Sequence, residues 1–508
     1  MIDCSMINRP IALAMTVFGQ YHHTKYARLN GNPALPTMTI TELNAPKNHS
    51  MSRLFQHFAD QEWAILLDSS DSVHIDGRYD VMVANPLATL ITKGESTHIC
   101  YKDSPHKSRT SQDDPMTLVQ TVLEACLHPQ SISPSTSALP FKAGAMGYFG
   151  YDLGRRFEDL PQQAENPYSA PDMAIGIYHW AVIKDNQTGQ FFLCHFPTDH
   201  NDNAPDAAQI NALLNHVGSA YLTDDAHKFT LSGQWQSNMD KNQYVDKIAQ
   251  VNAYLRSGDC YQVNLAQRFD APYSGDEYQA YLRLRGANKA PFSAFIRIPE
   301  AVIISISPER FLSVDSQGKV QTKPIKGTRP RSPDNAIDQQ NIQALRGSSK
   351  DQAENLMIVD LLRNDLSKSC QPHSVSVPAL FEIESFAAVH HLVSTVTGQL
   401  AEQQTALSLL RGAFPGGSIT GAPKIRAMEI IEELEPQRRN IYCGSIGYLG
   451  IDGDMDTSIC IRTLLLENSH LYCWAGGGIV LDSTALDEYQ ESLDKVCKIL
   501  PVLLQGNA

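Results

Sequence analysis

Short apolar runs bounded by turn residues recur through most of this chain, and in its second half they alternate with long segments of helical spacing. Residues 63–69, Trp63-Ala64-Ile65-Leu66-Leu67-Asp68-Ser69, read as an apolar strand ending in polar turn residues, and 79–84 read as its neighbour. Residues 144–152 carry glycines and alanine at close spacing, as tightly packed sheet requires. Residues 175–183 and 191–194 read as a hairpin across Asp185-Asn186. After a polar stretch at 195–238, residues 244–255 have helical spacing and stop near Gly258, and 261–265 restart as strand. Helices are expected over 353–365 and 425–435. Strands and helices mixed in this order predict an α+β fold built in layers.

With 508 residues the chain can bury a large core, and 42% apolar with 19% charged residues is ordinary for a soluble globular protein. The net charge of −14 argues against nucleic acid as a partner, because phosphate binding needs a basic face. It leaves an anionic small substrate open, since local residues or a metal can invert the field. Ten cysteines are scattered without a CxxC pair, which reads as reduced thiols in a cytoplasmic enzyme. No apolar run approaches the ~20 residues of a membrane helix. Residues 11–18 follow Arg9 but lack a small-residue cleavage site, so 1–37 is taken as an N-terminal extension of unknown role. The regular pattern begins at Met38, itself a candidate start, with an N-terminal region at 38–225 and a C-terminal region at 238–503.

Several clusters can carry chemistry. Lys326 lies in Lys323-Pro324-Ile325-Lys326-Gly327-Thr328-Arg329-Pro330-Arg331, after a weakly alternating run, and is expected where a strand breaks into a turn. Asp351 and Glu354 are three apart, as are Glu488 and Glu491, so each pair shares a helical face. Two such faces meeting make an oxygen-rich site suited to Mg2+, whereas either alone is an ordinary solvated face. Residues 414–424 are glycine-rich but lack the GxxxxGK[ST] spacing, so a nucleotide phosphate loop is excluded. Pro423 marks the first turn of the helix that follows, whose start can hold a carboxylate. Gly476, Gly477 and Gly478 form a second close-approach backbone, expected between a strand and the Glu488/Glu491 helix. Glu309 follows the apolar strand 302–306, and His391 sits in Val389-His390-His391-Leu392. Singly, these read as an ion pair, a core histidine and tight turns.

Together they resemble the chorismate-utilising enzymes. Residues 324–328, 354–366, 391–394, 416–424 and 475–478 stand in that family's order, and the likeness covers the chain from about Met38 onward. The family includes anthranilate, isochorismate and salicylate synthases and a branch that aminates chorismate at C4. Anthranilate synthases usually carry alanine at the position of Lys326, whereas a lysine there resembles the aminating branch, in which it is the covalent nucleophile. Residues 257–267 and 433–439 resemble the same branch.

The resemblance implies an α/β sandwich: two antiparallel sheets packed face to face, helices outside, and interleaved N- and C-terminal portions. It implies Mg2+ held by Glu354 and Glu491 with Asp351 and Glu488 beside them, and chorismate held by Thr328, Tyr442, Arg462, Lys495 and the backbone of Gly476, Gly477 and Gly478. Glu309 is then the general acid on the C4 hydroxyl, His391 orients that departing group, and Lys326 attacks C2 as a neutral amine. An amine of reference pKa near ~10.4 needs a lowered pKa or proton removal for this. Ammonia adds at C4, giving 4-amino-4-deoxychorismate, which a separate lyase converts to 4-aminobenzoate for folate synthesis. No cysteine stands in a nucleophile-elbow context, so a separate glutamine amidotransferase subunit is the expected heterodimer partner. A tryptophan pocket is implied at Ser69, Asp76, Gly77, Arg78, Tyr79, Pro291, Phe292 and Ser293, with Asp68 where feedback-inhibited anthranilate synthases usually carry glutamate. The alternatives are the pyruvate-eliminating anthranilate synthase reaction and a non-catalytic tryptophan-binding module.

Overall fold

The computed structural model describes residues 38–46, 49–72, 74–127, 139–198, 204–216, 228–386 and 389–504. The expected extension at 1–37 lies outside the described residues. Among them, two large antiparallel sheets dominate. The first has thirteen strands, in the spatial order Thr39–Leu43, Phe191–His195, Trp180–Asp185, Tyr79–Val83, Ile65–Asp68, Phe292–Ile298, Ala301–Ser307, Thr463–Glu467, His470–Ile479, Gln262–Ser274 and Thr230–Leu231. Gln236–Ser237 and Gly421–Ala422 also pair with Gln262–Ser274. The second has twelve, in the order Ile325–Pro330, Val389–Gln399, Lys319–Thr322, Arg310–Val314, Met455–Ile459, Ser445–Gly450, Gly144–Phe149, Met173–Tyr178, Ala88–Lys93, Ser96–Tyr101 and Arg109–Ser111. Ser376–Ser385 pairs with Val389–Gln399. Both sheets draw strands from both halves of the chain, so the halves interleave.

The apolar strands form a sandwich because successive side chains point to opposite faces. Ile65, Val81, Val83, Ile296 and Ile303 share one buried cluster with Leu90, Met146, Ile175, Ile177 and Leu312 of the second sheet. Their neighbours Leu66, Met82, Phe295 and Ile304 point the other way, into a cluster with Leu54 and Phe55 of the helix Met51–Phe55 and Tyr278, Tyr281 and Leu284 of the helix Glu277–Asn288. Both faces of these strands are covered, hence runs such as 302–306 show no polar alternation. Each fully buried Leu or Ile contributes roughly 1.5–3 kcal/mol.

The expected single strand at 175–183 is in fact two. Met173–Tyr178 belongs to the second sheet and Trp180–Asp185 to the first, with His179 at the crossing. Every residue of both strands is buried, so the run carries no periodicity to reveal the change of sheet. The hairpin from Trp180–Asp185 to Phe191–His195 forms as expected.

The chain also crosses between the sheets at 84–87, 308–309, 400–420, 423–444 and 460–462, and the crossings at 308–309 and 460–462 bear on the site. These two are tied together: the Ile459 N–H donates to the Glu309 carbonyl at 3.0 Å and the Ile306 N–H to the Arg462 carbonyl at 3.1 Å. The Ser307 hydroxyl adds a bond to the Ile459 carbonyl at 2.6 Å. Glu309 and Arg462 are thereby brought side by side at the seam of the two sheets.

Candidate active site

Lys326 lies within the strand Ile325–Pro330, not at the turn expected from its glycine and prolines. Pairing with Val389–Gln399 shifts from Ile325↔Val393 to Thr328↔His391, so Lys326 and Gly327 together oppose Leu392. Gly327 takes φ +81°, and a Cβ there would stand 2.8 Å from Asp351 Cγ and 2.9 Å from Leu345 Cδ1. A bulge of this kind re-aims a side chain, and here it redirects Lys326. The turn signals are real, but the ladder absorbs them as a bulge.

Lys326 feels Glu309 at the crossing and Glu354, Glu491 and Lys495 from further along the chain. Burial lowers its pKa and nearby Lys495 acts the same way, while Glu354, Glu309 and Glu491 oppose the shift. The buried Glu309 carboxyl accepts a hydrogen bond from Ser418 Oγ at 3.2 Å. Burial pushes its pKa up to about 7, against the pull of Lys326 and Ser418. His391 is buried too, its Nδ1 2.8 Å from Thr328 Oγ1 and its Nε2 without a hydrogen-bond partner among the described residues. Burial, with Arg462 nearby, lowers its pKa to about 3, so the imidazole is neutral. Burial also lowers the pKa of Arg462, with Cys497 and Glu309 pulling the other way, and no carboxylate pairs with this arginine among the described residues. A half-buried cation without a carboxylate partner among the described residues is suited to receive an anion.

The two carboxylate helices form as expected, Ser349–Ser367 and Ala485–Asp494, capped by Ser348 and Thr484. The Gly476–Gly478 backbone lies inside the strand His470–Ile479, paired with Asn264, Leu265 and Ala266, rather than in the expected connection before the second helix. Its missing side chains let that helix approach: a Cβ on Gly477 would lie 2.8 Å from Glu488 Oε2 and 3.3 Å from Glu491 Oε1. Lys495 Nζ bridges the Gly476 carbonyl and Glu491, each at 2.7 Å. Burial raises the pKa of Glu354, with Asp351 and Glu491 adding to it, and burial raises that of Glu488, with Glu491 adding. Burial acts upward on Glu491 as well, but Lys495, Lys326 and Lys350 together outweigh it and the net shift is down. Asp351 is held by Arg329 at 3.1 Å.

These donors are all oxygens, and the carboxylates of the two helices feel one another's charge, which suits Mg2+. No three of them come within 4.8 Å of one another among the described residues. In donor type, carboxylate oxygens carried on two helices, the set is of the kind that Mg2+ takes.

Tyr442 stacks flat on Trp474, ring centroids 6.1 Å apart. Ser418 had no role in the sequence reading: it stood inside the 416–424 motif as a turn residue, and only the fold sets its hydroxyl on Glu309. Pro423 is the residue before the helix Lys424–Leu434, not a member of its first turn.

A separate cavity of about 200 Å³ lies between the sheets and is lined by Asp76, Arg78, Tyr79, Pro291, Phe292 and Ser293. Ser69 and Gly77, expected with them, do not line it. Ser69 instead donates through its N–H and hydroxyl to Asp80 Oδ1, at 2.9 and 2.7 Å. Asp68 takes the hydroxyl of Tyr281 at 2.6 Å and the guanidinium of Arg285.

Residues 64–501 match the family of chorismate binding enzymes. The chain is 53% identical over 450 residues to aminodeoxychorismate synthase component 1 of Escherichia coli K12, covering 88% of this chain and 95% of that protein. It is 52% identical to aminodeoxychorismate synthase component 1 of Klebsiella aerogenes, over 88% of this chain and 95% of the relative. The crystal structure of anthranilate synthase component I from Streptococcus pneumoniae TIGR4 superposes with a TM-score of 0.71 at 31% identity, over 84% of this chain and 93% of that one. The chain belongs to the chorismate binding enzyme family, and within it stands with the aminodeoxychorismate synthase component 1 proteins.

Proposed function

We propose that this chain converts chorismate and ammonia to 4-amino-4-deoxychorismate, through a covalent intermediate on Lys326. The observation that carries this reading is Lys326 itself, bulged out of its strand, lowered in pKa by burial, and under the charge of Glu309, Glu354 and Glu491. It rests also on the activity named in relatives more than half identical to this chain.

Arg462, Lys495, Thr328, Tyr442 and the backbone of Gly476, Gly477 and Gly478 hold the substrate's carboxylates. Glu309, protonated because burial lifts it to about 7, gives its proton to the C4 hydroxyl. His391, neutral and fixed by Thr328, orients that departing group. The Lys326 amine bonds to C2 as the C4–O bond breaks and the diene electrons shift, leaving a secondary ammonium and water. Ammonia then bonds to C4, the C2–N bond breaks, and Lys326 leaves as the free amine. The new C4 ammonium returns a proton to Glu309, and the enolpyruvyl group is retained. Glu354 and Glu491, with Asp351 and Glu488 beside them, would hold Mg2+, which when bound supplies positive charge for the ring carboxylate.

The ammonia comes from a glutamine amidotransferase partner, in keeping with the component 1 names of the relatives. A place in 4-aminobenzoate and folate synthesis follows from the product. No helix among the described residues is long and apolar enough to cross a membrane, and the nine described cysteines are all free, which supports a cytoplasmic setting. The cavity between the sheets takes tryptophan, and amino-acid analysis of the denatured protein is expected to release it; a clean supernatant would remove this part of the reading. Incubation with chorismate, Mg2+ and ammonium is expected to yield 4-amino-4-deoxychorismate. Anthranilate with pyruvate, or isochorismate, as the main product would overturn the assignment.

A further inference from the structure

The loop 74–76, from the N-terminal half, reaches the strand pair that carries Lys326 and His391. The His74 ring stacks on Phe386 at 4.2 Å and 15°, and Phe386 meets the His391 ring edge to face at 4.9 Å and 76°. Both His74 nitrogens are engaged. The Asp76 N–H donates to Nδ1 at 3.2 Å, so Nε2 carries the hydrogen and donates to Glu384 Oε2 at 3.1 Å. Those two carboxylates are themselves fixed: Lys323 Nζ lies 2.6 Å from Glu384 and 3.4 Å from Asp76, and Arg310 bonds Asp76 at 2.6 Å and Asp456 at 2.9 Å. His74, Asp76 and Glu384 come within 4.8 Å of one another, close enough for a metal, but the Lys323 ammonium already serves as their cation.

His391 needs such support. Its Nδ1 lies by Thr328 and the Gly327 backbone also acts on the ring, while Nε2 has no hydrogen-bond partner among the described residues, so packing against the ring adds to what holds it. Phe386 lies just past the end of the strand Ser376–Ser385, and its own ring is held from behind by His74. We propose that His74, acting through Phe386, is a positioning residue that fixes the His391 imidazole for the reaction at C4. The proposal rests on the reading of His391 as the group that orients the departing hydroxyl.

The test compares full-length wild type with H74L, H74F, F386L, H391A and the H74L/H391A pair, using chorismate, Mg2+ and ammonium. H74L and F386L are each expected to lower kcat about tenfold while the chorismate KM stays within about twofold. H74F keeps a ring on Phe386 and should recover kcat to within about threefold of wild type. In the H391A background, H74L should add no further loss. Equal losses in both backgrounds, or unchanged kcat in both H74L and F386L, would overturn the proposal. An independent reading comes from the imidazole nitrogen NMR signals of His391, which should shift in H74L and F386L. Unmoved signals in both sink the positioning role whatever product the enzyme makes, whereas a wrong product with shifted signals counts only against the proposed function.

Discussion

At the scale of single residues, the site depends on two groups pushed toward neutrality. Burial shifts Lys326 downward and Glu309 up to about 7, so both shifts favour the uncharged forms of amine and acid. Replacing Lys326 by Ala is expected to abolish the covalent chorismate adduct seen by mass spectrometry of the quenched enzyme, with some turnover left from direct attack by ammonia. An adduct of undiminished yield would identify another nucleophile. For Glu309 the folded value lies above the ordinary 4.5, so the folded state binds more protons between about pH 4.5 and 7 and wild type loses stability across that window as pH rises. Glutamine cannot ionise. Glu309→Gln should therefore be no more stable than wild type near pH 4.5, and more stable by about 3 kcal/mol above pH 7. Urea unfolding of the metal-free protein at two pH values measures this; parallel curves would mean that Glu309 titrates as an ordinary carboxyl. The residue types themselves, an acid, a lysine and a histidine, were all legible in the sequence. Their protonation was not, because it follows from burial that the neighbouring sequence does not encode.

At the scale of elements, the strand Ile325–Pro330 works because it is irregular. Gly327 sits at φ +81° with Asp351 and Leu345 filling the space where a side chain would go. Gly327→Ala is thus expected to destabilise the fold by about 1–3 kcal/mol and to lower kcat by at least about tenfold, since the bulge that aims Lys326 must relax. Denaturant unfolding beside steady-state kinetics checks both effects, and a variant with wild-type kcat would show that the bulge does not aim the lysine. The helices Ser349–Ser367 and Ala485–Asp494 were readable from the three-residue spacing of their carboxylates. That Gly476–Gly478 is strand, not connection, was hidden by the glycines. Close approach of the second carboxylate helix requires the same residues that a turn would use.

At the scale of the whole molecule, the two halves of the chain build both sheets together. Ile65–Asp68 pairs with Phe292–Ile298, and Gly144–Phe149 pairs with Ser445–Gly450. Buried Asp68 and Arg285 link the halves again through the Arg285 Nη2 bond at 3.1 Å. A piece ending near residue 198 would expose two long apolar strand edges. Expressed alone, it is expected to aggregate or to exchange its amides within minutes, where the full chain protects them. A soluble, protected fragment would show that the N-terminal region folds as a unit.

Local pattern by itself determined the mixture of strands and helices and the residue types of the site, while the chorismate chemistry and the two face-packed sheets entered through the family resemblance that the motif order carries. The physical reason is that strand periodicity, helical carboxylate spacing and glycine close approach are local properties. Tertiary structure alone decided where the chain changes sheet, at His179, 308–309 and 460–462 among other places, since strands buried on both faces show no break in pattern. Two of those crossings place Glu309 beside Arg462, and burial near Glu354, Lys495, Glu309 and Glu491 is what makes Lys326 other than an ordinary surface lysine.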